Sequence, residues 1–97
     1  MNRSLVRMDG LALLAWNLRR LRAERGVSQE RLAADSGVDR AYISELERQR
    51  GNPSLPLLDR LARILEVPLA EFFVEPPEGT EAPRPLQSGR KRTTSPR

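Results

Sequence analysis

The 97-residue chain has neither cysteine nor histidine, which removes disulfides, thiol and imidazole nucleophiles and the usual zinc ligands together. Catalysis would have to rest on carboxylates, serine or lysine, and no phosphate-cradling glycine loop accompanies them. No catalytic residue, metal site or cofactor is therefore expected. Long apolar runs are also missing: none approaches the roughly 18 residues that cross a bilayer, and no charged N-terminal region precedes an apolar one. The chain is expected to have no membrane association and no secretion signal, and to be cytoplasmic. Its length gives room for one small domain and some tail, too little to join a binding module to a full ligand-sensing domain.

The formal charge of +4 is unevenly spread. From Leu11 to Val74 ten arginines stand against nine acids, so the excess lies mostly at the ends. What matters for a partner is whether positive residues share a face, and overall charge does not say so. Residues 1–10, with Arg3 and Arg7, read as a flexible N-terminal arm that either adds contacts to an anionic partner or does nothing. From Glu75 to Arg97 the composition shifts to Pro, Gly, Ser, Thr and charge with a single leucine, too little apolar surface to offset the entropy of ordering. A disordered Pro-rich basic tail is expected over 75–97. Its run Arg90-Lys91-Arg92 either skims phosphates or is an ordinary solvated stretch.

Between these ends the chain reads as helices. Leu11, Leu14, Ala15, Leu18, Leu21 and Arg22 share one face of a helix running from Leu11 to Arg25 and ended by Gly26. Leu13, Trp16 and Arg20 fall on the other face, so the indole is either a covered surface residue or part of a partner patch. Ser28 is a good N-cap for a second helix, Gln29 to Ser36, with Glu30 against its positive end. Gly37 supplies a left-handed stop, Asp39 caps a third helix beginning at Arg40, and Val38 with Ile43 staples the entry angle. Ala33 is small where the two helices cross. Ile43 and Leu46 anchor helix three on one side, leaving Arg40, Ala41, Ser44, Glu45 and Arg48 outward, on a helix that can enter a major groove N-terminus first. Asn52-Pro53 blocks continuation, and Ser54 caps a fourth helix reaching Glu66, with Leu55, Leu58, Leu61, Ala62 and Leu65 on its core side. Pro68 opens a fifth, short helix carrying Leu69, Phe72 and Phe73.

The stretches LRRLRAERGVSQERLA, GVDRAYISELER and NPSLPLLDRLARILEVPLAEFF resemble the phage-repressor and Cro-like helix-turn-helix (XRE) family, over roughly Leu11 to Val74. The resemblance implies an all-α, compact five-helix domain of the lambda-repressor type over residues 11–74, with the helix-turn-helix at 28–48. It also implies a sequence-specific transcriptional regulator, a repressor, binding double-stranded DNA as a homodimer on a palindromic operator. An antitoxin or adaptor on the same fold, with a protein partner and DNA binding secondary, is the alternative. A glycine usual in the family is replaced by Glu66, which bears on how helix four ends.

On this reading Arg40, Ala41 and Glu45 reach base edges. Arg40 offers two prongs to guanine or is merely solvated, Ala41 a methyl to thymine or plain helix propensity, Glu45 an acceptor for cytosine N4 or an ion pair with Arg48. Gln29, Tyr42, Ser44, Arg48, Arg50 and Asn52 are the expected phosphate contacts, Gln29 through its helix N-terminus as the resemblance implies. The family's spacing further implies an Arg22–Glu47 pair between helices one and three. Leu57, Ile64, Phe73 and Val74 exceed what one small core needs and are the expected dimer interface.

Overall fold

The computed structural model describes residues 8–77, an arrangement of four α-helices and one 3-10 turn. The helices are α1 (Gly10–Arg25), α2 (Gln29–Ser36), α3 (Arg40–Glu47) and α4 (Leu55–Leu65), followed by the turn Leu69–Phe73. Each helix begins at a side-chain cap that takes one of the amides left without a helical partner. Asp9 Oδ1 accepts from the Ala12 N–H at 2.9 Å, Ser28 Oγ from Arg31 at 2.9 Å, and Ser54 Oγ from Leu57 at 3.2 Å. Asp39 Oδ1 accepts more weakly from Ala41, at 3.4 Å. Gly26 and Gly37 end α1 and α2 in the left-handed conformation, as expected.

Three expectations are corrected. Asp9 and Gly10 belong to α1 as its cap and first residue, so the expected arm is shorter; its remainder to Arg7, and the tail run Arg90-Lys91-Arg92, lie outside the described residues. Leu55 is 62% exposed, not on the core side. As the first residue of α4 its side chain leans over a preceding turn that does not exist. The fifth helix is a 3-10 turn, with the Glu71 N–H donating to the Pro68 carbonyl three residues back at 3.0 Å.

α1 packs on α3 and on the 3-10 turn, and α2 packs on both α3 and α4. Leu14, Leu18, Leu21, Leu32, Val38, Ile43, Leu46, Leu58, Leu61, Ala62, Leu65 and Phe72 form one buried cluster. Asn17 is fully buried beside it. Its Nδ2 donates to the carbonyls of Leu13, Phe72 and Val74, each at 3.0 Å, and its Oδ1 accepts from Arg20 Nε at 3.1 Å and Nη2 at 2.9 Å. Arg20 Nη2 also reaches Glu71 Oε1 at 3.0 Å, and its guanidinium lies 5.7 Å from the centre of the Trp16 ring. Trp16 is thus a half-buried residue covered by a cation.

In place of the glycine that the resemblance implies, Glu66 takes the left-handed cap itself, at φ 60 and ψ 46. Arg25 steadies that end: its Nε donates to the Leu65 carbonyl at 2.6 Å and its Nη2 to that of Glu66 at 3.3 Å. A left-handed non-glycine residue costs about 1–2 kcal/mol, whereas glycine adds about 0.5–1 kcal/mol of unfolded-chain entropy. Glu66→Gly is therefore expected to raise unfolding stability by about 0.5 kcal/mol, since relief of strain exceeds that entropy. An unchanged or lower denaturant midpoint contradicts this.

Candidate nucleic-acid interface

At 3.6 residues per turn the eight residues of α3 divide cleanly. Ile43, Leu46 and Glu47 are buried, and Tyr42 lies half-buried against the cluster. Arg40 and Ala41 are exposed; Ser44, Glu45 and the capping Arg48 are half-buried, on the same outward side. Arg50 and Asn52 follow in the exposed loop, so the residues expected at bases and phosphates come together around one helix.

The inward side of α3 is fixed by charge as well as by packing. Arg22 on α1 forks onto Glu47, Nε to Oε2 at 2.6 Å and Nη2 to Oε1 at 2.9 Å, while Arg22 Nη1 donates to the Val27 carbonyl at 3.0 Å. The Glu47 side chain is 0% exposed and that of Arg22 15%. The expected pair is present, bidentate and largely buried. Burial lowers the pKa of Arg19 from its usual range, opposed by nearby Glu47 and reinforced by Arg22, so Arg19 is in the same electrostatic neighbourhood.

Gln29, first residue of α2, extends this network outward. Its Nε2 donates to Glu47 Oε1 at 3.0 Å, and its Oε1 accepts from Arg40 Nη1 at 3.4 Å. A carboxylate only accepts, so the amide group of Gln29 must face Glu47 and its oxygen must face Arg40. A chain of contacts thus runs from α1 through a buried acid to the first residue of α3. Gln29 is legible in the sequence as the first residue of a helix, but its bridge between helices is not.

Around the far end of α3, Arg48 Nη1 donates to Ser44 Oγ at 3.0 Å and Nη2 to Glu45 Oε2 at 3.1 Å. The alternative of a Glu45–Arg48 ion pair is therefore formed. Arg50 Nη1 lies 4.0 Å from the same Glu45 oxygen. The Tyr42 hydroxyl accepts from the Asn52 N–H at 3.1 Å, fixing the loop to the helix and leaving the phenolic proton to be donated elsewhere. Gly51 makes that approach geometrically allowed: its φ is 95°, and a Cβ there would meet the Tyr42 hydroxyl at 3.1 Å and Leu46 Cδ2 at 3.3 Å.

Of the expected dimer residues, Leu57 and Ile64 are half-buried against the core, so they are less of a surplus than the sequence suggested. Phe73 and Val74 remain 39% and 41% exposed, and Leu55, not anticipated, joins them as an exposed large apolar residue. Among the described residues no cluster of three or more acids is placed to hold a metal ion, and no helix is long and apolar enough to cross a membrane.

Comparison with known proteins bears on this geometry. A family model described as helix-turn-helix matches residues 18–72. A hypothetical transcription factor of Neisseria meningitidis is 40% identical over 70 residues, 72% of this chain and 66% of that protein. The HTH-type transcriptional regulator y4dJ of Sinorhizobium fredii is 42% identical over 76 residues, covering 75% of this chain and 99% of its own length. Among solved structures, the hypothetical transcription factor NHTF from Neisseria superposes with a TM-score of 0.68 at 40% identity, over 72% of this chain and 80% of that one. The restriction-modification controller protein C.AhdI from Aeromonas hydrophila does so with 0.63 at 41%, over 65% and 96%. The chain thus spans just under two thirds of the curated Neisseria relative and nearly all of y4dJ.

Proposed function

The chain belongs to the helix-turn-helix family of DNA-binding transcriptional regulators, and on that premise we propose that it is a repressor, binding a palindromic operator as a homodimer with α3 in the major groove. The observation that carries this reading is the outward side of α3. Its first residue, Arg40, is exposed and steered by Gln29, while its inner side is fixed to α1 by a buried carboxylate. Such a helix presents side chains at fixed positions, which base reading requires.

In the proposed complex Arg40, Ala41 and Glu45 face base edges. Gln29, Tyr42, Ser44, Arg48, Arg50 and Asn52 lie along the backbone, Tyr42 through its free phenolic proton and Arg50 from the loop. Residues 11–74 form the binding unit. One such unit grips too little DNA to be selective, and two related by a two-fold axis place their α3 helices about 34 Å apart in successive grooves. Phe73 and Val74, exposed beside the Asn17-anchored turn, with Leu57 and Ile64 contribute the pairing surface. Repression needs only occupancy of the operator, which a small domain can supply.

Selection of bound sites from random duplexes tests this reading, with sedimentation of the protein at micromolar concentration. The expected result is an inverted repeat whose half-site centres lie about 10–10.5 base pairs apart, a dimer on that site, and Trp16 emission unchanged by pairing. Monomer both free and on selected DNA, or no enriched sequence, contradicts it.

A further inference from the structure

Glu45 is the acid on a side of α3 otherwise furnished with Arg40, Arg48 and Arg50. Its Oε2 holds two of those arginines, Arg48 at 3.1 Å and Arg50 at 4.0 Å, and Arg48 is drawn further back along the helix by Ser44 Oγ. The three side chains remain 38%, 32% and 64% exposed, in the order Glu45, Arg48, Arg50. Ion pairs this open contribute little to stability, so the arrangement is not explained by holding the fold together. Its consequence is electrostatic. Any phosphate that approaches Arg48 or Arg50 also comes within a Debye length of the Glu45 carboxylate and competes with it for the same guanidinium groups.

We infer that Glu45 is a selectivity residue whose carboxylate opposes binding to every DNA that offers it only phosphate, and is compensated only where a cytosine amino group reaches it in the major groove. The inference rests on the proposed placement of α3 and deepens it. On random DNA, Arg48 and Arg50 must leave Glu45 to reach the backbone, and the carboxylate is left facing a negative surface. On the right site the same exchange occurs, but cytosine N4 donates to the vacated oxygen. Discrimination then comes from a penalty on wrong sequences as much as from a gain on the right one. Arg40 supplies no such penalty, because a guanidinium is not repelled by the negative surface of a wrong sequence.

Glu45→Gln removes the charge while keeping shape and one acceptor oxygen. Its binding is measured beside the wild-type chain on the selected site and on random duplex, across a salt series. The expected result on random DNA is roughly 3- to 10-fold tighter binding by the dimer. The salt slope there steepens, because a carboxylate no longer offsets the arginines at the backbone. On the selected site the gain is smaller, because the variant also loses the charge-assisted bond to cytosine N4, so the ratio between the two falls. Glu45→Ala, which also lacks the acceptor, loses affinity for the selected site in addition. If the wild-type chain selects a site and Glu45→Gln keeps the wild-type ratio, or loses affinity equally on both DNAs, this inference falls and the groove placement stands. If the wild-type chain selects no site, both fall together.

Discussion

Arg22→Ala is expected to lower unfolding stability by about 3–5 kcal/mol, and Glu47→Ala by about 3 kcal/mol, at the low end of what breaking a buried ion pair costs. The order follows from burial. Without Arg22 the Glu47 carboxylate has no solvent access and loses its bidentate partner, keeping the Gln29 Nε2 donor and the nearby Arg19 charge. Without Glu47, Arg22 keeps its bond to the Val27 carbonyl and a 15% opening to water. A domain of this size has about 5–15 kcal/mol of stability in all, and each kcal/mol moves its melting temperature by about 4–8 °C. Arg22→Ala should therefore approach complete unfolding at moderate temperature, which helical circular dichroism against denaturant would register. Replacing both residues with apolar ones of similar volume, Arg22→Met with Glu47→Leu, should lose far less than the sum of the single changes, because neither charge is stranded. Losses below about 1 kcal/mol for both single variants would contradict the burial of the pair.

The same residues show what could be read from the sequence. The limits of α2 and α3 depend on local signals, Ser28 and Asp39 as caps and Gly37 as stop, so they were legible without any tertiary information. The division of α3 into inner and outer sides followed from its period in the same way. The Arg22–Glu47 pair does not come from such signals; 25 residues separate the partners, and the expectation rests on family spacing and on the cost of a lone charge at the edge of the apolar face of α1. The role of Asn17 is hidden by distance in the same way. Its position on the apolar side of α1, three residues from Leu14 and four from Leu21, marked it as a buried polar group needing partners. Those partners, the carbonyls of Phe72 and Val74, lie 55 and 57 residues away. The 3-10 form of the last turn and the left-handed Glu66 are likewise settled by packing and by Arg25, which no short window contains. Around the interface, the sequence identified the residues that share a side but not the bonds between them. Gln29 between Glu47 and Arg40, and Tyr42 beneath Asn52, join separate elements.

Arg40→Ala and Arg50→Ala should fail in different ways, because one side chain is proposed to read and the other to grip. Arg40 stands in the first turn of α3, where side chains reach base edges, and its guanidinium is already held toward one direction by Gln29 Oε1 at 3.4 Å. Its loss should cost about 1–3 kcal/mol for each half-site on the best operator and flatten the preference at one base pair per half-site, with little change on random duplex. Arg50 is 64% exposed in the loop after α3, where the chain would pass the sugar-phosphate backbone. Its loss should weaken all sequences alike and lower the salt slope by about 1 per phosphate contact, hence about 2 in a dimer. Gln29→Leu supplies the link between fold and reading: it keeps Arg40 but removes the oxygen that orients it, so base preference at the Arg40 position should blur while the salt slope holds. Titrations of the three variants on selected and random duplexes at several salt concentrations separate these outcomes. If Arg40→Ala lost affinity equally on both DNAs, Arg40 would be a phosphate contact and the proposed orientation of α3 in the groove would be wrong.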